Sequence, residues 1–400
     1  MKPLTKAQEP SRWARLRELA AMLAVTAGFK PRPRELRPAA PVEIEPWQIG
    51  PFTRPQQGNP VISPNGASVF DCPMRKSPVR WENLHTFNPA AIVKDGKVVM
   101  LYRAEDDSGI NVVGMHTSRL GMAVSEDGIR FKRRPQPVFY PADDLQKKHE
   151  WFGGTEDPRL VEAEDGTYVL LYSQWNRRAP HLAVATSRDL LNWTKHGHAF
   201  QHAHGGKYAT KFSKAGGIVT RLDSEKGRLI ATKINSQYWM YWGEGAIYLA
   251  SSDDLIHWAP LEDGQGKLLK LLAPRTGFFD SGFPEVGPPP VLTEDGIVLL
   301  YNGRNATWSN DPTLGSGAYA VGEALFDAQD PTRLLARTDH PLFRPELPYE
   351  KTGQYAAGTT FSEALVWFKG QWLMYYGCAD SLVAVAAAPA EASSGGNTGI

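Results

Sequence analysis

A tight turn followed by an apolar strand recurs five times between residues 94 and 380, and this repeat constrains the fold more than any other feature of the chain. An Asp-Gly or Lys-Gly pair ahead of β-branched and aromatic residues is typical of a β-hairpin. The copies are KDGKVVMLYRA (94–104), EDGTYVLLYSQW (164–175), KGRLIATKINSQYWMYW (226–242), EDGIVLLYNGR (294–304) and FKGQWLMYYGCAD (368–380).

Each copy is followed by a second apolar strand, so the whole unit repeats about every 60–75 residues. Three of these second strands lead into the same Ser-x-Asp turn before an aromatic residue, at 125–131, 187–193 and 252–258. Five units of about four strands each predict an all-β, five-bladed β-propeller. The competing interpretation, a β-sandwich, does not account for five copies of a paired signal. The last copy is short, and we expect the strand near Val61 to Phe70 to complete its blade.

The ends of the chain differ in composition from the repeats, which predicts three segments. Residues 1–41 are read as an N-terminal helix and a Pro/Arg-rich linker, 42–390 as the propeller, and 391–400 as a flexible tail. Apolar residues at helical spacing between Trp13 and Ala24 favour a helix that docks on the propeller or joins a homo-oligomer. The alternative is a signal peptide over Leu19–Phe29. We therefore expect a cytoplasmic protein, or a periplasmic or secreted one if that segment is a signal.

Charge and cysteine content narrow the classes of partner. The 44 basic and 43 acidic residues give a net charge of +1 and form no single-sign block, so neither nucleic acid nor a membrane surface is an expected partner. The two cysteines, Cys72 and Cys378, are expected to be free buried thiols. The ten histidines show no metal-binding spacing, and no nucleotide or nucleophile-elbow motif occurs. No metal and no cofactor are expected.

Polar residues cluster where the predicted blades begin or end, which is where propellers carry their function. The clusters are 86–90 together with Arg103, Glu105 and Asp106; 153–159; 233–244; 279–290; and 375–381. Carboxyl groups from different blades that meet at one axis are what glycoside cleavage requires, one as acid and one as base or nucleophile. Each cluster also has a structural interpretation: an ion pair for Asp157 and Arg159, a solvated loop for Glu285, and a turn cap for Asp380.

The ordered set of strings resembles glycoside hydrolase family 130 over roughly residues 60–390. The strings are FNPAAIVKDGKVVMLYRAED, SRLGMAVSEDGIRF, GGTEDPRLV, GPPPVLTEDGIVLLYNG and YYGCADS. That family contains mannoside phosphorylases and β-1,2-mannosidases, so the resemblance implies a β-linked manno-oligosaccharide as substrate. It also implies an inverting mechanism with Asp157 as general acid, and in the phosphorylases the proton passes through a hydroxyl of the bound mannose.

The resemblance places further residues around the sugar. Asn88, Arg103 and Asp380 are implied to surround the −1 mannose. Glu156, Arg159, Lys233 and Asp280 are added as candidate substrate-binding residues, and they lie in the polar clusters 153–159, 233–244 and 279–290.

The attacking group distinguishes the two branches of the family. The resemblance implies that phosphorylases hold phosphate with a lysine, matched here by Lys233, and with a His-Arg pair, matched by Trp242 and Gly243. Loss of that pair removes much of the charge that a phosphate dianion needs. Glu244 and Glu285 stand nearby and suit activation of water. The strings YWMYWGE and FPEVGPPP are similar to the β-1,2-mannosidase branch, with either glutamate as base.

Three functions therefore follow from the sequence. The first is an inverting, exo-acting β-1,2-mannosidase. The second is a mannoside phosphorylase that holds phosphate with Lys233 and arginines such as Arg275 or Arg304. The third is a glycan-binding propeller without catalysis, against which the carboxylates argue.

Overall fold

The computed structural model of the chain describes residues 36–37, 43–110 and 112–389. The predicted N-terminal helix and C-terminal tail lie outside the described residues, as does the predicted linker apart from residues 36–37. Within these ranges helix is confined to α1 (Lys147–Glu150) and two 3-10 turns, Ala203–Gly206 and Pro348–Glu350. No helix in the described ranges has the length and apolar character to cross a membrane.

The strands follow one another in antiparallel units, and the chain is all-β as predicted. A two-stranded hairpin comes first, formed by β1 (Phe70–Cys72) and β2 (Ser77–Val79). Unit 1 contains β3 (His85–Lys94), β4 (Lys97–Glu105), β5 (Ser118–Ser125) and β6 (Lys132–Arg133). Unit 2 contains β7 (Gly154–Glu162), β8 (Tyr168–Trp175), β9 (Pro180–Ser187) and β10 (Thr194–His198).

The remaining units vary more in strand number. Unit 3 contains β11 (Gly216–Ile218), β12 (Thr220–Asp223), β13 (Arg228–Ala231), β14 (Lys233–Ile234), β15 (Gln237–Trp242), β16 (Ile247–Ser252), β17 (Ala259–Pro260) and β18 (Lys270–Leu272). Unit 4 contains β19 (Phe283–Val286), β20 (Val291–Leu292), β21 (Ile297–Arg304), β22 (Tyr319–Phe326) and β23 (Leu334–Arg337). Unit 5 contains β24 (Thr360–Phe368), β25 (Gln371–Cys378) and β26 (Leu382–Pro389).

The repeat read from the sequence corresponds to the middle of each unit. The turn-and-strand copies are β4, β8, β15, β21 and β25, and each pairs antiparallel with the apolar strand that follows it. These strands are apolar at consecutive positions because both of their faces are buried. In β4, Val98, Met100 and Tyr102 face one hydrophobic cluster, while Val99 and Leu101 face another.

Five hydrophobic clusters fill the space between units. Each cluster is shared by two units, and in order they join unit 1 to 2, 2 to 3, 3 to 4, 4 to 5, and 5 to 1. Alternate side chains of each middle strand therefore pack against the unit on one side and the unit on the other. Both cysteines are buried free thiols within these clusters, as predicted.

The three Ser-x-Asp turns form the same hydrogen-bond pattern. The hydroxyls of Ser125, Ser187 and Ser252 each accept from the backbone N–H three residues on, at 2.8, 2.8 and 2.9 Å. The Asp side chain of each turn accepts from the two N–H groups that come two and three residues after it. Short polar side chains that satisfy local backbone donors explain why this string recurs.

The segment before unit 1 completes unit 5, as expected, although with a different boundary. Val61 donates its N–H to Val383 at 2.8 Å, and Thr53 pairs with Ala387 further along β26. The expectation fails at Phe70, which lies in β1 and pairs with Val79 instead. Residues 53–62 therefore supply the outer edge of unit 5 and cover a strand that would otherwise be exposed.

Asn59 fixes this edge, and its removal is expected to destabilise the fold. Its side chain donates to Val385 O at 2.8 Å and accepts from Val385 N at 2.9 Å. Asn59→Ala leaves both backbone groups without a partner, so the free energy of unfolding should fall by about 1–3 kcal/mol in urea denaturation. Gln57→Ala, at an exposed position of the same segment, should change it by less than about 0.5 kcal/mol. Equal effects of the two substitutions would contradict this role for Asn59.

Candidate active site

Regular strand pairing is interrupted within or next to the first strand of each unit, and a polar residue lies at or beside each interruption. Bulges occur around Asn88 in β3, Asp157 in β7 and Glu363 in β24. Before β11, the N–H of Gly243 faces the carbonyls of both Lys214 and Ala215, and after Glu285 the pairing of unit 4 stops at Val286 and resumes at Val291.

These interruptions turn polar side chains away from the sheet surface. An extra residue in one strand locally twists it and re-aims the side chain, a device common beside active sites. Asn88 and Asp157 adopt left-handed backbone conformations with φ of +46° and +49°. The five side chains converge around Asp157. Asn88 donates a hydrogen bond to it, and the charges of Lys214, Glu285 and Glu363 interact electrostatically with its carboxylate.

Arg103 is the centre of the first half of the site. Its guanidinium donates to Asp157 Oδ1 at 2.9 Å, to Glu156 Oε1 at 2.8 Å and to Glu105 Oε1 at 2.7 Å. The Nε–H donates to Ser118 Oγ at 3.0 Å, and the side chain is only 7% exposed. One buried cation therefore holds three carboxylates that would otherwise repel one another.

The protonation of these carboxylates is set by burial and by their neighbours. Burial acts to raise the pKa of Asp157, but Arg103, Lys214, Arg159 and the hydrogen bond from Asn88 outweigh it and hold the pKa well below its usual range. Burial raises the pKa of Glu156 to about 7, and it raises the pKa of Asp380 to about 7 as well. The same pocket thus contains one carboxyl held ionised and two poised near neutrality.

Arg159 ties three units together beneath Asp157. It pairs with Glu363 at 2.9 Å and donates to Val286 O at 2.7 Å and to Gly287 O at 3.2 Å. Burial raises the pKa of Glu363 well above its ordinary value, and the positive charge of Arg159 opposes that rise. Through these contacts Arg159 holds unit 4 and unit 5 in position next to Asp157.

Lys214 is the centre of the second half of the site. Its Nζ lies 3.6 Å from both Glu244 Oε1 and Glu285 Oε1, and these two glutamates face each other across an isolated β-bridge. Glu285 is 1% exposed and Glu244 is 37% exposed at the side chain. Burial raises the pKa of Glu285 to about 8, while Glu244, Glu285 and Asp157 together raise the pKa of Lys214 against its burial.

The structure brings together eight of the ten residues predicted from the sequence. They are Asn88, Arg103, Glu156, Asp157, Arg159, Glu244, Glu285 and Asp380. Asp380 follows β25 with φ of +51°, and Arg103 and Asp157 are the charges that act on it most after its own burial.

Lys233 and Asp280 are not brought to this cluster. Lys233 is exposed in the β14–β15 hairpin, where its Nζ lies 4.9 Å from the ring centre of Tyr238, a residue that lines an outer groove. Asp280 is buried and bonded to Tyr301 at 2.7 Å, to Arg337 at 2.7 Å and to Arg275 at 2.9 Å. The β14–β15 hairpin carries Lys233 outward, and three hydrogen-bond partners already engage the Asp280 carboxylate.

Two residues of the site, Lys214 and Glu363, were missed from the sequence. Alignment of the five units at their first strands would have identified both residues. In each unit one polar residue comes just before a run of mostly apolar residues: Asn88-Pro89, Asp157-Pro158, Lys214-Ala215, Glu285-Val286 and Glu363-Ala364. Each unit therefore contributes one polar group at the same place. The repeat was read on the second and third strands, where the turn signals are strongest.

The two positions matched to the His-Arg pair of phosphorylases hold a buried indole and a glycine that has no room for a side chain. Trp242 is 2% exposed and packs 4.6 Å, between ring centres, from Phe200. Gly243 has φ of +123°, and a Cβ there would lie 2.3 Å from Ala246 O. An arginine at residue 243 would need the backbone to move.

Comparison with known proteins decides the family. Residues 52–392 match the family described as Glyco_hydro_130, beta-1,4-mannooligosaccharide phosphorylase. The chain belongs to glycoside hydrolase family 130. It is an enzyme of the kind that this family comprises, a glycoside hydrolase or phosphorylase acting on β-mannosides.

Family 130 relatives of both kinds are similar to this chain. A 1,2-beta-oligomannan phosphorylase of Thermoanaerobacter sp. (strain X514) is 30% identical over 317 residues, covering 78% of this chain and 93% of the relative. One solved structure is 51% identical to this chain. It comes from work stating that the GH130 family of mannoside phosphorylases contains glycoside hydrolases that target beta-1,2 mannosidic linkages in Candida mannan. Its TM-score is 0.85, with 86% of this chain and 95% of that one covered.

A third likeness agrees with these. The crystal structure of a glycosyl hydrolase from Bacteroides ovatus is 51% identical, with a TM-score of 0.84 over 86% of this chain and 95% of that chain. These family 130 likenesses support a β-propeller-like fold. They leave open which of water and phosphate attacks the sugar.

The arrangement provides what a displacement at a sugar carbon requires. One half holds carboxyl groups and an arginine suited to a sugar and its leaving group, and the other holds two carboxylates around a lysine. Two carboxyl groups on separate elements are the general requirement for glycoside cleavage.

Removal of Arg103 is expected to be among the most damaging single changes to this site. Arg103→Met leaves three buried carboxylates without their cation, so the free energy of unfolding should fall by about 3–5 kcal/mol at neutral pH. The folded state lowers the pKa of Asp157, so the ionised carboxylate stabilises the fold above the pKa that Asp157 has in the unfolded chain. This contribution disappears when Asp157 is protonated, so the difference in unfolding free energy between the parent and Arg103→Met should shrink as the pH falls.

The matched control is Arg80→Met, which removes an exposed ion pair with Asp107 and should cost less than about 1 kcal/mol. Denaturant melts of the two variants at neutral and acidic pH make this comparison. A similar, pH-independent loss in both would contradict the role given to Arg103.

Proposed function

We propose that this enzyme is an inverting, exo-acting β-1,2-mannosidase that uses water as the attacking group. The observation that carries the proposal is the pair Glu244 and Glu285 around Lys214. Phosphate would meet two carboxylates there, and a lysine already shared between them offers it little net attraction. A water molecule, by contrast, gains hydrogen-bond acceptors and a base at the same place.

We further propose that the five units close into a five-bladed propeller with the site on its axis. The support is the cyclic order of the hydrophobic clusters, which includes a cluster shared by unit 5 and unit 1. The edge of unit 5 supplied by residues 53–62 also supports closure. A closed ring gives each unit two neighbours and brings the five interrupted first strands to one place.

Asp157 is the proposed general acid. In the sugar-free protein, Asn88 and Arg103 both donate to its Oδ1 at 2.9 Å and keep the carboxyl ionised. A mannose hydroxyl that inserts here accepts the hydrogen bond of one of these two donors. The Asp157 carboxylate then loses that donor, so its pKa rises toward the range that proton donation requires. Glu156, whose pKa burial raises to about 7, is the adjacent carboxyl from which that proton can come.

Glu285 is the proposed base, with Glu244 and Lys214 holding the water. Its Oε1 is buried and accepts no hydrogen bond from any described residue, so a lone pair is available for a water proton. Lys214 stabilises the ionised form, while burial makes the carboxylate a stronger base. Glu244 is more exposed and is assigned to orientation of the water.

Sequence similarity also supports hydrolysis. The solved structure from the work on hydrolases of β-1,2 linkages is 51% identical to this chain, whereas the oligomannan phosphorylase of Thermoanaerobacter is 30% identical. The linkage is proposed as β-1,2 because both of these relatives are described with that linkage.

A mannoside phosphorylase is the second candidate, favoured by the phosphorylase descriptions of the family and of its curated relatives. Its phosphate would have to bind Lys214 or Arg304, because Lys233 is remote and Arg275 is bonded to Asp280 and Asp339. Phosphate bound to Lys214 would face the carboxyl groups of Glu244 and Glu285, which lie on the same lysine.

Products formed with and without phosphate decide between the two. With β-1,2-mannobiose, we expect mannose as the product at an unchanged rate whether or not inorganic phosphate is present, and the first anomer seen by proton NMR should be α. Asp157→Asn should lower turnover by about 10²–10⁴-fold, which assigns the activity to this site. Mannose 1-phosphate that forms only when phosphate is added would overturn the hydrolase.

Glu285 and Glu244 should respond differently to substitution and to pH. Glu285 accepts a proton only when ionised, whereas the acid side needs the proton of Glu156, so kcat/KM should rise and then fall with pH, with apparent pKa values of about 7 and 8. Glu285→Gln should abolish this rise and lower kcat by at least about 10²-fold, with azide restoring turnover by attacking the anomeric carbon in place of water.

Glu244→Gln is the matched control. It removes a negative charge that raises the pKa of Glu285, so the rise in kcat/KM should move to lower pH while most of kcat remains. If Glu244→Gln is instead the variant that loses turnover and is rescued by azide, the assignments of the two glutamates are exchanged.

A further inference from the structure

Two histidines and a glutamate meet beside Arg103, although nothing in their spacing along the chain resembles a metal motif. His85 begins β3, Glu105 ends β4, and His116 lies in the loop before β5. One ligand atom from each lies within 4.8 Å of the other two. Glu105 and His116 are 0% and 2% exposed, and His85 is partly buried.

Hydrogen bonds fix the outer nitrogen of both rings. His116 Nδ1 lies 3.0 Å from the carbonyl of Ser108, which can only accept, so Nδ1 carries the proton. His85 Nδ1 lies 2.9 Å from Ser381 Oγ, a hydroxyl that also lies 3.2 Å from Ala379 O and accepts from the N–H of Gln354 at 3.0 Å. His116 Nε2 therefore carries a lone pair, and the Nε2 atoms of both rings are buried without a hydrogen-bond partner among the described residues.

We propose that His85, Glu105 and His116 form a binding site for a borderline divalent cation such as Zn²⁺. Two imidazole nitrogens and one carboxylate are a donor set that zinc accepts, with further positions left for water. The Nδ1–H bonds to oxygen atoms are the outer contacts that orient metal-bound histidines in general. Zinc bonds of about 2.0–2.2 Å require the three ligand atoms to draw together by on the order of 1 Å.

The cation would be connected to the proposed acid, Asp157, through Glu105 and Arg103. Glu105 Oε1 accepts from Arg103 Nη2 at 2.7 Å, and Glu105 Oε2 accepts from Gln354 at 3.1 Å. A divalent charge on Glu105 repels the guanidinium of Arg103, which in turn holds Asp157. Zinc binding should therefore inhibit turnover, a consequence that rests on the proposed function, whereas binding itself does not.

The test measures Zn²⁺ binding by titration calorimetry on chelator-treated, dialysed protein without sugar. We expect one zinc per chain, with no binding of Mg²⁺, which prefers oxygen ligands. His116→Asn keeps a donor at the place of Nδ1 and removes Nε2, so the affinity should fall at least about tenfold. His85→Asn should behave alike, and the exposed control His340→Asn should bind as the parent does.

Unchanged affinity in both His116→Asn and His85→Asn would overturn the site, provided that thermal melts show the variants folded. Absorption of the Co²⁺-loaded protein gives a second readout, since loss of its visible bands in His116→Asn would place the metal on that ring. In mannoside assays, zinc should lower kcat/KM of the parent and leave His116→Asn unaffected. Binding without this inhibition would overturn the coupling to Arg103, and binding by a protein inactive on mannosides would overturn only the proposed function.

Discussion

The buried guanidinium of Arg103 is the interaction on which the rest of the site depends. It bonds to Glu105, Glu156 and Asp157, which come from two neighbouring units and would repel one another without it. Burial of so many carboxylates is unfavourable unless a cation compensates them. Lys214 performs the same task for Glu244 and Glu285 on the other side. The site is thus two clusters, each organised by a single positive charge.

This electrostatic arrangement depends on the packing of the units. Arg159 bonds to Glu363 and to the carbonyls of Val286 and Gly287, so unit 2 is fastened to units 4 and 5 directly below the acid. Burial of charged groups is unfavourable, and the hydrophobic clusters between the units provide the favourable free energy of folding that offsets it. Carboxyl groups with raised and lowered pKa values then stand side by side, a condition under which acid and base roles can be divided.

Much of the fold could be read from the sequence because both faces of the middle strands are buried. A run such as VVMLY in β4 or IVLLY in β21 needs apolar residues at every position, and a tight turn must precede it. Asp157 and Arg103 could be found for a related reason, since they lie in strings that fix a bulge or a strand end. Lys233 and Asp280 lie apart from this cluster, because the β14–β15 hairpin carries the lysine outward and Arg275 and Arg337 already bind the aspartate.

By itself, then, the sequence determined an all-β chain of repeated hairpins, the family, and most of the polar groups of the site. Those features are local: they follow from the period of two along a strand, from turn chemistry, and from strings of a few residues. Only the tertiary structure decided that Lys214 is the lysine between the two glutamates, that Glu363 supports Arg159, and that His85 and His116 meet at Glu105. These groupings join different strands, loops and units, and the positions of the bulges that aim several of these side chains depend on pairing across the sheet.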